Sequence, residues 1–119
     1  MPSDFVKRDY PNLVPLVMEK LFPVAAERER IWSVLDRYQS KEPDRVRLGI
    51  LKAAKGEPGE IERLAELAAT DFRDLLCIAE YPLSSRRWAL RDSDPDKYDA
   101  LQEREQRMYD RWIERVLAR

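Results

Sequence analysis

Eight prolines divide the 119-residue chain into segments in which apolar side chains recur every three or four positions. That spacing places the apolar residues on one side of an α-helix, whereas a half-buried strand alternates every second position. Only three glycines are present, and a turn-rich all-β fold needs more of them. The pattern predicts an all-α fold, a compact bundle of about six helices with a long C-terminal helix.

The same prolines separate the predicted helices, which all belong to a single helical domain of residues 1–119. An N-terminal helical pair is predicted at about 12–39, three central helices at about 44–81, and the long helix at about 95–118. Capping residues mark the helix starts, because their side-chain oxygens accept from unpaired backbone N–H groups at an N-terminus. The predicted caps are Asn12, Asp44, Asp71 and Asp94.

Two glycines have a specific structural interpretation. Gly49 lies inside a predicted helix, where glycine costs about 1 kcal/mol of helix propensity relative to alanine. We interpret Gly49 as the point where a neighbouring helix approaches closely. Gly56 follows the end of the same helix and suits the left-handed conformation that often ends a helix.

The absence of histidine removes several classes of function. No Ser-His-Asp triad, Cys-His dyad or His-ligated metal site can be built from this chain alone. The carboxylates Asp71 and Asp74 lie one helical turn apart, and we interpret them as capping and first-turn residues rather than as an acid–base pair. The glycine-containing stretch 55–60 matches no phosphate-binding loop. We therefore predict a protein that is not an enzyme, with no catalytic residue, no metal site and no cofactor.

Cys77 is the only cysteine, so no intrachain disulfide can form. A reducing, cytoplasmic location is the expectation that follows. The neighbours Leu76 and Ile78 are apolar, which predicts a buried, structural thiol. No uncharged stretch approaches the roughly 20 apolar residues that span a bilayer, so we expect no membrane partner.

The three central helices also permit a helix-turn-helix interpretation. Its third helix, at 72–80, carries Arg73 against Asp74 and Glu80, and lacks the amide side chains that read base edges. The chain has 22 Lys plus Arg against 23 Asp plus Glu, without the basic excess that phosphate binding favours. Nucleic acid is therefore a disfavoured partner, and the sequence leaves any small-molecule ligand unknown.

The long C-terminal helix presents the main candidate interaction surface. Its apolar residues fall within an arc of roughly 100°, which lies beside an acidic stripe and a basic stripe. Glu105 falls within this arc, and because a lone buried carboxylate is costly, we expect it to pair with a cation or be exposed. The arc contains Tyr98, Leu101, Met108, Tyr109, Trp112 and Val116, and the basic stripe contains Lys97, Arg104, Arg111 and Arg115.

A second candidate surface surrounds Trp88, which follows Arg86 and Arg87. Such a group can stack on a nucleic acid strand, but aspartates follow at 92, 94 and 96, so a protein contact is favoured. The predicted partner surface comprises Arg86, Arg87, Trp88, Glu105, Tyr109 and Trp112.

The leading functional hypothesis is a non-catalytic protein-interaction module that can also pair with a second copy of itself. Pairing would bury the aromatic arc of the long helix between two chains. The opposing interpretation is that the same arc closes the core of its own chain. A helix-turn-helix regulator and an enzyme that uses carboxylates and arginines are the further alternatives.

Two short motifs carry a resemblance to other proteins. They are Asp-Phe-Arg-Asp at 71–74 and Ala-Glu-Tyr-Pro at 79–82, within a pattern that starts at Arg45. Over about residues 45–82 the chain resembles a group of short, uncharacterised bacterial proteins. The resemblance implies a small bacterial all-helical protein and supplies no activity or ligand.

Overall fold

The computed structural model describes residues 8–119, and this part of the chain contains seven α-helices and no strand. A 3-10 turn at Ser84–Arg86 precedes the short sixth helix. This confirms the all-α prediction and the long C-terminal helix. The helices are α1 (Tyr10–Leu21), α2 (Ala25–Leu35), α3 (Pro43–Ala53), α4 (Pro58–Thr70), α5 (Phe72–Glu80), α6 (Leu90–Ser93) and α7 (Pro95–Leu117).

Helix α3 forms the centre of the bundle, since it packs against α1, α4 and α5. Helix α2 packs on α4, while α7 lies across α1 and α5. The sequence explains the central place of α3, because apolar residues occupy more than one side of this helix. Its buried residues are Val46, Leu48, Gly49, Ile50 and Leu51.

Gly49 lies where α3 and α5 approach each other, as predicted. A Cβ atom at this position would lie 3.1 Å from Leu75 Cδ1 and 3.2 Å from Ala79 Cβ. An alanine would therefore push α5 away from the central helix. Gly56 has φ +78°, which confirms the left-handed conformation after α3.

Two of the four predicted caps are confirmed. The Asp71 side chain accepts from the backbone N–H groups of Arg73 and Asp74, and Asp94 accepts from that of Lys97.

The predictions for Asn12 and Asp44 are wrong, because α1 starts at Tyr10 and α3 at Pro43. A proline fits the first turn of a helix, where its missing N–H costs nothing, so both helices begin at or before their prolines. Asn12 instead donates to the Asp9 carboxylate at 2.6 Å.

The aromatic arc of α7 is turned largely inward. Tyr109 is only 1% exposed, and Ile113 and Val116 are buried beside it. The buried part of the arc therefore packs against the core of its own chain, and Tyr109 presents almost no surface to a partner. No helix within residues 8–119 is both long and apolar enough to cross a membrane.

Candidate binding groove on the C-terminal helix

A groove of about 590 Å³ lies where α7 passes α3 and the C-terminal end of α5. Basic side chains on its walls outnumber carboxylates by five to two. We call it the arginine groove. Its lining residues are Lys52, Glu80, Pro82, Arg104, Glu105, Arg107, Met108, Tyr109, Arg111, Trp112 and Arg115.

Four of these cations come from one face of α7, because spacings of three and four residues bring them to the same side of a helix. We call Arg104, Arg107, Arg111 and Arg115 the groove arginines. Within residues 8–119, none of them forms an ion pair, and neither does Lys52. All four are exposed, so the groove presents positive charge to the solvent.

The Glu80 carboxylate is held by an arginine from outside the groove. Arg45 donates to its two oxygens at 2.6 and 2.8 Å, and Glu80 is only 1% exposed. The hydrogen bond to Glu80 raises the pKa of Arg45 above its ordinary value, against the opposing effect of burial. Arg45 thus neutralises the Glu80 carboxylate. Glu80 therefore does not pair with the groove cations, which can bind another anion.

Glu105 is 2% exposed and follows neither of the two alternatives predicted for it. No cation among residues 8–119 pairs with it. Its oxygens accept from the backbone N–H groups of Leu83 at 2.6 Å and Ser84 at 2.9 Å. Backbone N–H groups stabilise a buried carboxylate in place of a side-chain cation. Glu105 therefore holds the 3-10 turn against α7 and cannot belong to an exposed partner surface.

The inner end of the groove is formed by Lys52 and Tyr109. The Lys52 Nζ atom lies 5.4 Å from the centre of the Tyr109 ring, and the Arg8 guanidinium carbon lies 4.5 Å from the same ring. Within the described part of the chain, the buried Tyr109 hydroxyl has no hydrogen-bond partner. Burial lowers the pKa of Lys52, while Glu105 and Glu80 act in the opposite direction. Burial also raises the pKa of Tyr109 well above its ordinary value.

Apolar side chains complete the walls of the groove. Met108 is 42% exposed, and Trp112 is half-buried with its ring edge-to-face against Tyr109 at 5.8 Å. Pro82 lies on the opposite wall, after the end of α5. The arginine groove therefore offers cations together with apolar surface.

The predicted partner surface separates into two parts. Arg86, Arg87 and Trp88 are exposed, and the Arg91 guanidinium carbon lies 4.6 Å from the centre of the Trp88 ring. Arg87 lines a second cavity, which shares Arg104 with the arginine groove. Of the predicted surface residues, Glu105, Tyr109 and Trp112 line the groove, but only Trp112 has substantial exposure there.

The residues that sequence reasoning missed are Lys52 and Arg107. Arg107 follows the spacing of the basic stripe on α7, so the helical pattern could have identified it. Lys52 lies 55 positions away from Arg107 and reaches the groove only because α3 packs beside α5 and α7, which no local pattern indicates.

The Cys77 thiol is half-buried, whereas the sequence pattern predicted a buried one. Burial, together with Asp74 and Asp71, raises its pKa, so the thiolate is disfavoured. Among residues 8–119 there is no group of three Cys, Asp or Glu side chains placed to hold a metal ion.

No protein-family model, curated protein or solved structure matches the chain. The resemblance of residues 45–82 to short bacterial proteins therefore stays a prediction.

Proposed function

We propose that the protein is a non-catalytic interaction module that binds an acidic segment of a partner protein in the arginine groove. The observation that carries the proposal is the set of four groove arginines, which have no carboxylate partner within residues 8–119. Charge complementarity gives such a surface its specificity and speeds association with an acidic partner.

Like-charge pairs among the groove arginines weaken α7. Arg107 and Arg111 are four residues apart, as are Arg111 and Arg115, and each such like-charge pair destabilises a helix by about 0.2–0.5 kcal/mol. Elsewhere in the chain, Arg45 and Arg63 pair with carboxylates. The carboxylates of an acidic partner would attract the groove arginines and offset the repulsion among them.

The apolar part of the groove favours a protein segment over a simple polyanion. Methionine and tryptophan side chains supply the contact area that anchors a peptide. The exposed Met108 and the half-buried Trp112 provide it here. The groove therefore combines cations with apolar surface. An acidic segment with apolar residues at helical spacing fits both features.

A second copy of the chain is the less favoured partner. Pairing of two α7 helices through the aromatic arc needs exposed aromatic area, and Tyr109 is already buried in the core. The groove arginines and Met108 remain exposed, whereas Tyr109 and Val116 of the arc are buried.

Calorimetric titration with a synthetic 16-residue peptide tests the proposal. The peptide carries glutamates on one helical face and leucines on the other, and a scrambled peptide of equal composition serves as control. The double variant Arg104→Gln/Arg111→Gln should weaken binding by about tenfold or more, because two charge contacts are lost. The matched variant Arg30→Gln/Arg63→Gln removes two exposed arginines of α2 and α4 and should bind normally.

A single strand of 16 deoxythymidines provides the competing polyanion. If it binds more tightly than the peptide and the groove variant weakens it, the partner is a nucleic acid and the proposal is wrong. Absence of peptide binding at low ionic strength would also contradict it, since electrostatic contacts are strongest there.

A further inference from the structure

Lys52 differs from the other described lysines in its surroundings. The chain contains six lysines, and those at positions 20, 41, 55 and 97 are exposed. Lys52 is half-buried at the inner end of the arginine groove, with its ammonium group over the Tyr109 ring. Neither Glu80 nor Glu105 forms an ion pair with it, because Arg45 and the backbone of residues 83–84 occupy those carboxylates.

The surroundings of Lys52 shift it part of the way toward the free amine. Burial lowers its pKa, and Lys55, two residues beyond the end of α3, adds to the effect. Glu80 from α5 and Glu105 from α7 act against it. The groove arginines line the same groove. An unprotonated lysine amine is a nucleophile toward carbonyl carbon, and desolvation and neighbouring cations are the usual means of producing one.

The groove supplies an anion-binding wall next to this amine. Its volume of about 590 Å³ is within the range typical of small-molecule sites. Guanidinium groups bind carboxylates and phosphates with two parallel hydrogen bonds, and four of them are free here. A small anionic compound held by these arginines would lie beside the Lys52 amine.

We infer that Lys52 is an attachment site at which a small anionic aldehyde or ketone forms an imine, with its anionic group held by the groove arginines. The Nζ lone pair attacks the carbonyl carbon and forms the carbon–nitrogen bond. The two amine hydrogens leave with the carbonyl oxygen as water, so amine and carbonyl compound give imine and water without any oxidant or reductant. This inference goes beyond the acidic-segment proposal, because it requires a small molecule and not a protein.

Competitive labelling within one chain tests the inference. The protein is treated at pH 7 with 4-formylbenzoate and cyanoborohydride, which reduces any imine to a stable amine, and modified lysines are mapped by mass spectrometry. Lys52 should be labelled about tenfold faster than the exposed Lys55, since electrostatic focusing in a cationic cleft raises local anion concentration by at least that factor. The neutral isostere 4-formylbenzamide should show no such preference.

Two further comparisons separate anion binding from simple amine reactivity. Arg104→Gln/Arg111→Gln should abolish the preference for the carboxylated aldehyde, and Arg30→Gln/Arg63→Gln should retain it. Because its pKa is lowered, Lys52 should also reach half-maximal labelling at a lower pH than Lys55.

Two results would overturn the inference. One is a Lys52 that reacts no faster than the exposed lysines, and the other is equal reaction with the charged and neutral aldehydes. The peptide titration contains no aldehyde, so its failure and the failure of this labelling are distinguishable.

Discussion

Arginines on α3 and arginines on α7 serve different purposes in this molecule. On α3, Arg45 holds the buried Glu80, and Arg47 donates to the backbone oxygens of Leu35 and Tyr38 at 3.2 and 2.8 Å. The groove arginines of α7 make no comparable contact within residues 8–119. The α3 arginines stabilise the fold, whereas those of α7 are available to a partner.

The largest expected effect comes from breaking the α3 pair. Arg45→Met should lower the free energy of unfolding by about 3 kcal/mol, because it leaves the Glu80 carboxylate buried without a partner. Chemical denaturation followed by circular dichroism measures this loss. The double variant Arg45→Met/Glu80→Leu should recover most of it, since both buried charges are then gone. A single variant as stable as the parent would show that Glu80 does not depend on Arg45.

An intermediate effect is expected at Glu105, which is bound to backbone rather than to an arginine. Glu105→Gln should lower the free energy of unfolding by about 1–3 kcal/mol, because the neutral amide offers one oxygen to two N–H groups. Denaturation measures the loss, and hydrogen exchange at Leu83 and Ser84 should accelerate. Exposed Glu103→Gln on the same helix is the control and should change little. Unchanged exchange at both amides would contradict the role assigned to Glu105.

The smallest effect, with the opposite sign, is expected at the groove arginines. Arg111→Gln should raise the free energy of unfolding by about 0.5 kcal/mol at low salt, because it removes two like-charge pairs at i, i+4 spacing. Screening should remove the gain at about 1 M salt, where the Debye length is only about 3 Å. Thermal unfolding at both salt concentrations measures the difference. A destabilised variant would mean that Arg111 belongs to the fold, and the contrast with α3 would disappear.

Sequence reasoning was most successful where local chemistry decides the structure. The apolar spacing predicted the helices, and Asp71 and Asp94 were identified as caps because a capping bond joins residues two or three positions apart. Gly49 was interpreted correctly for a similar reason, since a glycine inside a good helix requires a close neighbour. The cap predictions at Asn12 and Asp44 failed because the proline that precedes each of these residues already belongs to the first turn of the helix.

The groove was predicted only in part, because its residues come from distant parts of the chain. The basic stripe of α7 was visible as a helical repeat, but Lys52 and the Arg45–Glu80 pair depend on how α3 and α5 meet α7. The buried Glu105 was placed on the correct arc, yet its partners are backbone N–H groups. Any residue can supply such donors, so the sequence carries no signal for them.

The contact between Glu105 and the amides of Leu83 and Ser84 also bears on the order in which a newly made chain becomes compact. The acceptor lies 21 and 22 positions after its two donors. A nascent polypeptide that stops before this glutamate contains α1 to α6 and the start of α7 but lacks the group that binds the turn at Ser84–Arg86. Proteases should therefore cleave between about 81 and 94 in such truncated chains, and lose access once the final helix has emerged from the ribosome and docked.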